Sequence, residues 1–197
     1  MRAAAKCGMR FWLALVLAVL LPVMAGAQAP SDRPGAQAPS DRPGAQAPSD
    51  RKAAMTQMLD ALKEAPSEEA SGAMEARLRK MQFEASTPAV TLLMGRGVRD
   101  ITSGQYDDAI EVFTDALVLD PDLPEAWHQR AVAKFRGGDI PGAVRDIEET
   151  LKRDPRYFAA FRTLTEIAAS REDWKAAYAA WQKVLEITPQ TPGGAER

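Results

Sequence analysis

One cysteine and one histidine in 197 residues leave almost no means of nucleophilic, redox or zinc chemistry. Cys7 and His128 stand far apart, and neither has a second residue of its kind to complete a ligand pair. There is no glycine-rich phosphate loop and no dinucleotide fingerprint; Gly95 and Gly97 read as helix-packing positions. The adjacent carboxylates Asp107-Asp108 and Glu148-Glu149 point to different sides of a helix, so neither pair converges on one substrate. Basic runs are missing too, and a formal net charge of −2 suits neither nucleic acid nor an anionic membrane surface. These absences predict a protein that is no enzyme and carries no cofactor and no metal. Its function must come from a surface.

What is present begins with the first 27 residues. Arg2, Lys6 and Arg10 precede an apolar run from Phe11 to Met24, and Ala25-Gly26-Ala27 has the small residues a signal peptidase accepts. The run falls short of the roughly 20 residues a membrane-spanning helix needs. It therefore reads as a cleaved export signal, with cleavage near Ala27 and a periplasmic or secreted destination without stable membrane insertion. Cys7 would leave with it, as would three of the 25 basic and none of the 27 acidic residues, so the mature chain is expected at net minus five.

Residues 28–51 belong to a nine-residue tandem of the form Gly-Ala-Gln-Ala-Pro-Ser-Asp-Arg-Pro, which lacks apolar mass to bury and is expected to be an extended linker. Residues 52–89 hold two amphipathic segments split at Pro66, with Met55, Met58, Leu59 and Leu62 on one face of the first and Met74, Leu78 and Met81 on one face of the second. This N-terminal helical hairpin is expected to cap the first helix of the array that follows. A Met-rich face is also an adaptable partner surface.

The rest of the chain is organised by a period. Pro121, Pro155 and Pro189 lie 34 residues apart, each closing a helix-like segment, and three units follow at 90–123, 124–157 and 158–191, with a tail from 192. Registered on those prolines, the units align in columns. Leu93, Trp127 and Phe161 share the fourth position, where a large side chain is expected to fill the gap between the two helices of a unit. Gly97, Ala131 and Thr165 share the eighth, and Ala109, Ala143 and Ala177 the twentieth, where small residues let helices approach. Phe113, Ile147 and Trp181 share the twenty-fourth, and Leu117, Leu151 and Leu185 the twenty-eighth.

Local signals agree with the period. Gly104 and Gly137-Gly138 suit helix ends, Asp139 before Pro141 suits a helix start, and Asp122 with Pro124 and Glu125 has the look of a capping box. Arg96 and Arg130 stand at the seventh position, and Asp100 and Lys134 at the eleventh, columns where the family that this pattern resembles prefers apolar residues. Long basic stems can lie on apolar surface and keep their charge wet. Asp100 is too short for that and counts against tight packing in the first unit.

The pattern resembles the tetratricopeptide repeat of small exported proteobacterial proteins, over residues 90–191. The middle unit carries it best, in Ala126-Trp127-His128-Gln129-Arg130-Ala131, Gly138-Asp139-Ile140 and Ala143-Val144. The resemblance implies an all-α, right-handed α-solenoid of about three helix-turn-helix units, non-catalytic, that binds a protein or peptide partner in a concave groove lined by first helices. Carried over position by position, that groove holds Met94, Val98 and Ile101 from the first unit. The second contributes His128, Val132, Phe135 and Arg136, and the third Arg162 and Glu166. Some family members clamp a C-terminal carboxylate with Lys and Asn; Met94 and Val98 take the first two of those places, so a chaperone-tail adaptor is not expected. The expected role is an adaptor in envelope assembly or maintenance. The alternative is a self-associating structural subunit, a weak homodimer through the last helix, which no closing helix follows.

Overall fold

The computed structural model describes residues 48–192, which belong to a single compact unit, Gly44–Arg197. The expected signal and most of the tandem lie outside the described residues. Eight helices and no strands are found among those described: α1 (Pro48–Lys63), α2 (Glu68–Phe83), α3 (Pro88–Thr102), α4 (Tyr106–Leu119), α5 (Pro124–Arg136), α6 (Ile140–Arg153), α7 (Phe158–Ser170) and α8 (Trp174–Ile187). The last six pair as α3 with α4, α5 with α6 and α7 with α8, the three units of the period. Helix α1 starts at Pro48, inside the stretch expected to be linker, because Pro48 occupies the first helical turn with Asp50 beside it and neither costs the helix a hydrogen bond.

Turn chemistry sets the helix limits. Gly104 and Gly138 adopt φ of +75° and +90°, the left-handed conformation that ends α3 and α5 at little cost. In the third unit Glu172 takes the same conformation at φ 59° without that freedom. Asp139 caps α6 through Gly142 N at 2.9 Å, and Asp173 caps α8 through Ala176 N at 3.0 Å. The expected capping box at Asp122 does not form. Leu123 is the residue before α5, with no side-chain cap, and the Glu125 carboxylate turns inward instead.

The small and large columns form the core. Ala109, Ala143 and Ala177 are buried, as are Phe113, Ile147 and Trp181. A Cβ on Gly97 would meet the Phe113 ring at 2.5 Å, so the ring itself fills the space a side chain would need. Thr165, the largest of that column, hands its hydroxyl to the Phe161 carbonyl within its own helix at 2.9 Å.

Two expectations are corrected by side-chain pairing. Trp127 does not plug the gap inside its unit; it is half-buried at the rim. Its indole N–H donates to the Pro121 carbonyl at 2.8 Å, and the Arg130 and Arg153 guanidiniums lie 4.8 and 4.7 Å from its ring. Arg130 and Lys134 do not keep their charges in water either. Both reach the buried Asp146: Arg130 with two bonds of 2.8 and 2.9 Å, Lys134 at 2.7 Å. In the third unit the equivalent three positions are Leu164, Ala168 and Ala180, so one unit joins its two helices there with ions and the next with hydrocarbon.

The hairpin of α1 and α2 is the main departure. It does not cap the first unit; α1 packs on α8 at the far end, and α2 meets α5. The cause is where its apolar residues find partners: Leu59, Leu62 and Leu78 join Phe158 and Ile187 in one buried cluster, with Met55, Met58, Met74 and Phe161 around it. Only the end of the hairpin, Phe83 and Ala85, reaches the core of the first unit.

Candidate functional site

First helices α3, α5 and α7 line one face of the array, and α2 lies on it. The seat is polar as well as apolar. Arg162 of α7 donates to both oxygens of Glu75 at 3.0 and 2.9 Å, and Thr191, just past α8, donates to the same carboxylate at 2.9 Å. Arg162 also bonds the Thr191 hydroxyl and rides over the Phe158 ring at 5.2 Å. Glu75 is buried, so this two-pronged pair and the hydroxyl are what allow a carboxylate to lie there. Gly72 lets α2 lie close against Pro192, since a Cβ there would come within 3.3 Å of that ring.

Beneath α2 lies a second polar group between α5 and α7. Glu125 is buried, accepts from Gln129 at 2.7 Å and takes the Tyr157 hydroxyl on its other oxygen. Burial raises its carboxyl from 4.5 to about 7, against the pull of the Gln129 bond and the Arg79 charge. His128 stands 5.2 Å from the Tyr157 ring, with Nε2 3.0 Å from the Thr163 hydroxyl. Burial lowers it from 6.5 to about 4. Near neutral pH the imidazole is therefore uncharged, and the carboxyl is divided between its two forms.

Of the nine groove positions read from the sequence, two are not on the surface. Met94 is fully buried in the first-unit core, and His128 is buried by its hydrogen bond and by Tyr157. Met94 faces the core it shares with α4, and His128 faces α7. Val98 and Ile101 pack half-buried against the first core, and Phe135 against the second; Val132 is half-buried. Arg162 is engaged with Glu75, leaving Arg136 and Glu166 exposed.

The face stays open on both flanks of α2. One hollow, about 320 Å³, is bordered by Arg79, Lys80, Phe83, Val98 and Gln129; the other, about 370 Å³, by Ala76, Arg79, Arg162 and Glu166. The sequence reading missed Glu75, Glu125 and Tyr157. Tyr157 and Glu125 stand 32 residues apart, near the period, which is the one signal that could have joined them. Among the described residues no group of three or more His, Cys, Asp and Glu is placed to hold a metal, and no helix is long and apolar enough to cross a membrane.

Comparison with known proteins agrees with this architecture. A family described as TPR repeat matches residues 100–138, from the end of α3 to the end of α5. A TPR repeat-containing protein of Rhizobium etli is 25% identical over 138 residues, 70% of this chain and 68% of that one. The heat-shock cognate co-chaperone sgt12 of Aspergillus fumigatus is 29% identical over 138 residues, 68% of this chain but 40% of its own. Hsp70-Hsp90 organizing protein 2 of Arabidopsis thaliana is 26% identical over 85 residues, 43% of this chain and 15% of its own. The chain thus spans less than half the length of the last two. Among solved structures, the crystal structure of MamA aligns with a TM-score of 0.47 and 23% identity over 61% of this chain and 71% of that one.

Proposed function

This chain is a tetratricopeptide-repeat protein, and we propose that it is an exported, non-catalytic adaptor that holds a helical segment of a partner protein on the face lined by α3, α5 and α7, in assembly or maintenance of a bacterial envelope. The observation that carries the reading is the helix already there. Helix α2 shows the chemistry this face accepts: an apolar residue such as Leu78 for the Phe158 cluster, and a carboxylate such as Glu75 for Arg162. It is also an imperfect occupant. Ser71 Oγ and Gln82 Nε2 are buried without a hydrogen-bond partner among the described residues, each at a cost of about 1–3 kcal/mol. A partner helix with apolar residues in those places would compete with α2 on favourable terms.

The co-chaperone relatives do not lend this chain their partners. Met94 and Val98 stand where a carboxylate clamp would need Lys and Asn, and Met94 is buried. Export is supported by the N-terminal pattern of three basic residues, apolar run and Ala25-Gly26-Ala27. Protein recovered from the producing cell should begin at Gln28, or at a later alanine junction of the tandem, by mass spectrometry; retention of Arg2 or Phe11 would overturn it.

The adaptor reading is tested by charge reversal at Arg136 and Glu166 together. Both are exposed, so helicity and melting should be unchanged while capture of partner from cell extracts falls. Equal capture by variant and wild type would move the binding site off this face.

A further inference from the structure

Inside the array, each unit meets the next through one fixed set of positions. The third and tenth residues of a unit are buried against its predecessor: Ala126 and Ala133 in the second unit, Ala160 and Ile167 in the third. What covers them are the seventeenth and twenty-first residues of the unit before. Ile140 and Val144 pack in the cluster that holds Ala160 and Ile167, and Ile110 in the cluster that holds Ala126 and Ala133. Tyr106, the seventeenth of the first unit, comes against Gly137 of the second.

At the two ends of the array the same positions have no such neighbour among the described residues. In the first unit the third and tenth residues are Leu92 and Arg99, and Leu92 is 72% exposed because the hairpin that would have covered it lies elsewhere. In the last unit the seventeenth and twenty-first are Trp174 and Tyr178, 67% and 66% exposed; α1 packs at the opposite end of α8, against Ile187. Large apolar side chains left wet on both halves of one interface are unfavourable.

We propose that copies of this chain stack end to end, with Trp174 and Tyr178 of one copy seated on Leu92 and Arg99 of the next, in the register the units already use within a chain. The acceptor face has room for a ring: a hollow of about 530 Å³ is bordered by Pro88, Thr91, Leu92, Gly95 and Arg99. Gly95 opens it where the other units carry Gln129 and Thr163. Arg99 supplies a guanidinium for the face of an aromatic ring, the contact that Arg130 and Arg153 make with Trp127. Donor and acceptor faces differ, so the contact is heterologous and does not stop at two copies. A two-fold pairing through α8 alone would leave the hollow at Leu92 empty.

Sedimentation of the full chain, as recovered from its producing cell, tests this with two single variants. Leu92→Glu and Tyr178→Glu alter exposed side chains and should keep the wild-type melting curve. The wild type should form a concentration-dependent series that extends past the dimer, and each variant alone should remain monomeric. Mixed, they should give a one-to-one heterodimer and nothing larger, because the intact α8 of the Leu92→Glu chain can seat on the intact Leu92 of the Tyr178→Glu chain. Three results would overturn the proposal: a wild type that stays monomeric, a Leu92→Glu chain that still self-associates, or a mixture that stays monomeric. None of them touches the adaptor reading, which rests on a different face.

Discussion

Removing the Glu125 carboxylate should unmask a pH dependence that the wild type hides. In the folded state burial holds Glu125 at about 7, against 4.5 outside it. Its folded value is raised, so folding takes up a proton between those limits; the contribution to stability is complete below about pH 4.5 and is lost as pH rises through 7. His128 runs the other way. Its folded value is depressed from 6.5 to about 4, so its contribution is complete above 6.5 and is lost as pH falls towards 4. At 1.36 kcal/mol per pH unit each amounts to about 3 kcal/mol, and between pH 4.5 and 6.5 the two slopes cancel.

The Glu125→Gln variant keeps a side chain of similar shape that can receive the Tyr157 hydroxyl, and it does not titrate. Urea midpoints from about pH 4 to about pH 8 should place it close to wild type at the acid end, with a relative gain that grows to about 3 kcal/mol at the alkaline end. His128→Gln should show the opposite trend, its stability relative to wild type rising by about 3 kcal/mol from the alkaline end towards acid. Taking each variant against wild type at the same pH removes every other titrating group from the comparison. A Glu125→Gln chain whose difference from wild type stays constant over that range would mean that Glu125 is ionised in water, not buried beneath α2.

Three further outcomes follow from the packing. Gly97→Ala forces a methyl group into the Phe113 ring and should lower stability by about 1–3 kcal/mol in denaturant unfolding; an unchanged midpoint would mean that α3 and α4 do not approach there. Phe113→Ala should cost about 3–5 kcal/mol as a core truncation, and Trp127→Ala about 2 kcal/mol, the worth of one hydrogen bond and two exposed cation contacts. The reverse ranking would put Trp127 back in the core. Arg162→Ala strands Glu75 as a buried carboxylate and should cost roughly 3 kcal/mol while speeding proteolysis in the α1–α2 turn, whereas a loss under about 1 kcal/mol would show that α2 does not rest on Arg162.

What the sequence made legible is what repeats. Each unit folds against itself and its neighbour, so a buried position recurs every 34 residues, and Ala109, Ala143 and Ala177 could be aligned without knowing where any of them lies. The same logic placed the ends of α3 and α5 at Gly104 and Gly137-Gly138 and the start of α6 at Asp139, because helix ends depend on residues a few places apart. It failed where a column changes chemistry between units. Arg130, Lys134 and Asp146 look like three unrelated departures from an apolar pattern, and only their closure on one another, with Asp146 buried between two cations, shows them to be a single substitution for Leu164, Ala168 and Ala180.

The position of the hairpin was out of reach for a deeper reason. Amphipathic periodicity says that α1 and α2 have an apolar face, and nothing in it says which apolar surface they meet. Two surfaces could have taken them: the end of the first unit, where Leu92 waits, and the face of α5 and α7 with the end of α8. The choice is decided by groups that no period marks. Glu75 has a guanidinium and a hydroxyl on the second surface, and α1 brings Asp60 within 2.8 Å of Arg156 there. On the first surface the exposed charges at hand are Arg96 and Arg99, with no buried hydroxyl such as that of Thr191 to receive a carboxylate. Apolar area is available at both places, so it cannot discriminate between them; the buried carboxylate can, because it is tolerated at only one. One choice therefore shapes both surfaces, filling part of the face where a partner helix would lie and leaving Leu92 bare for a second copy.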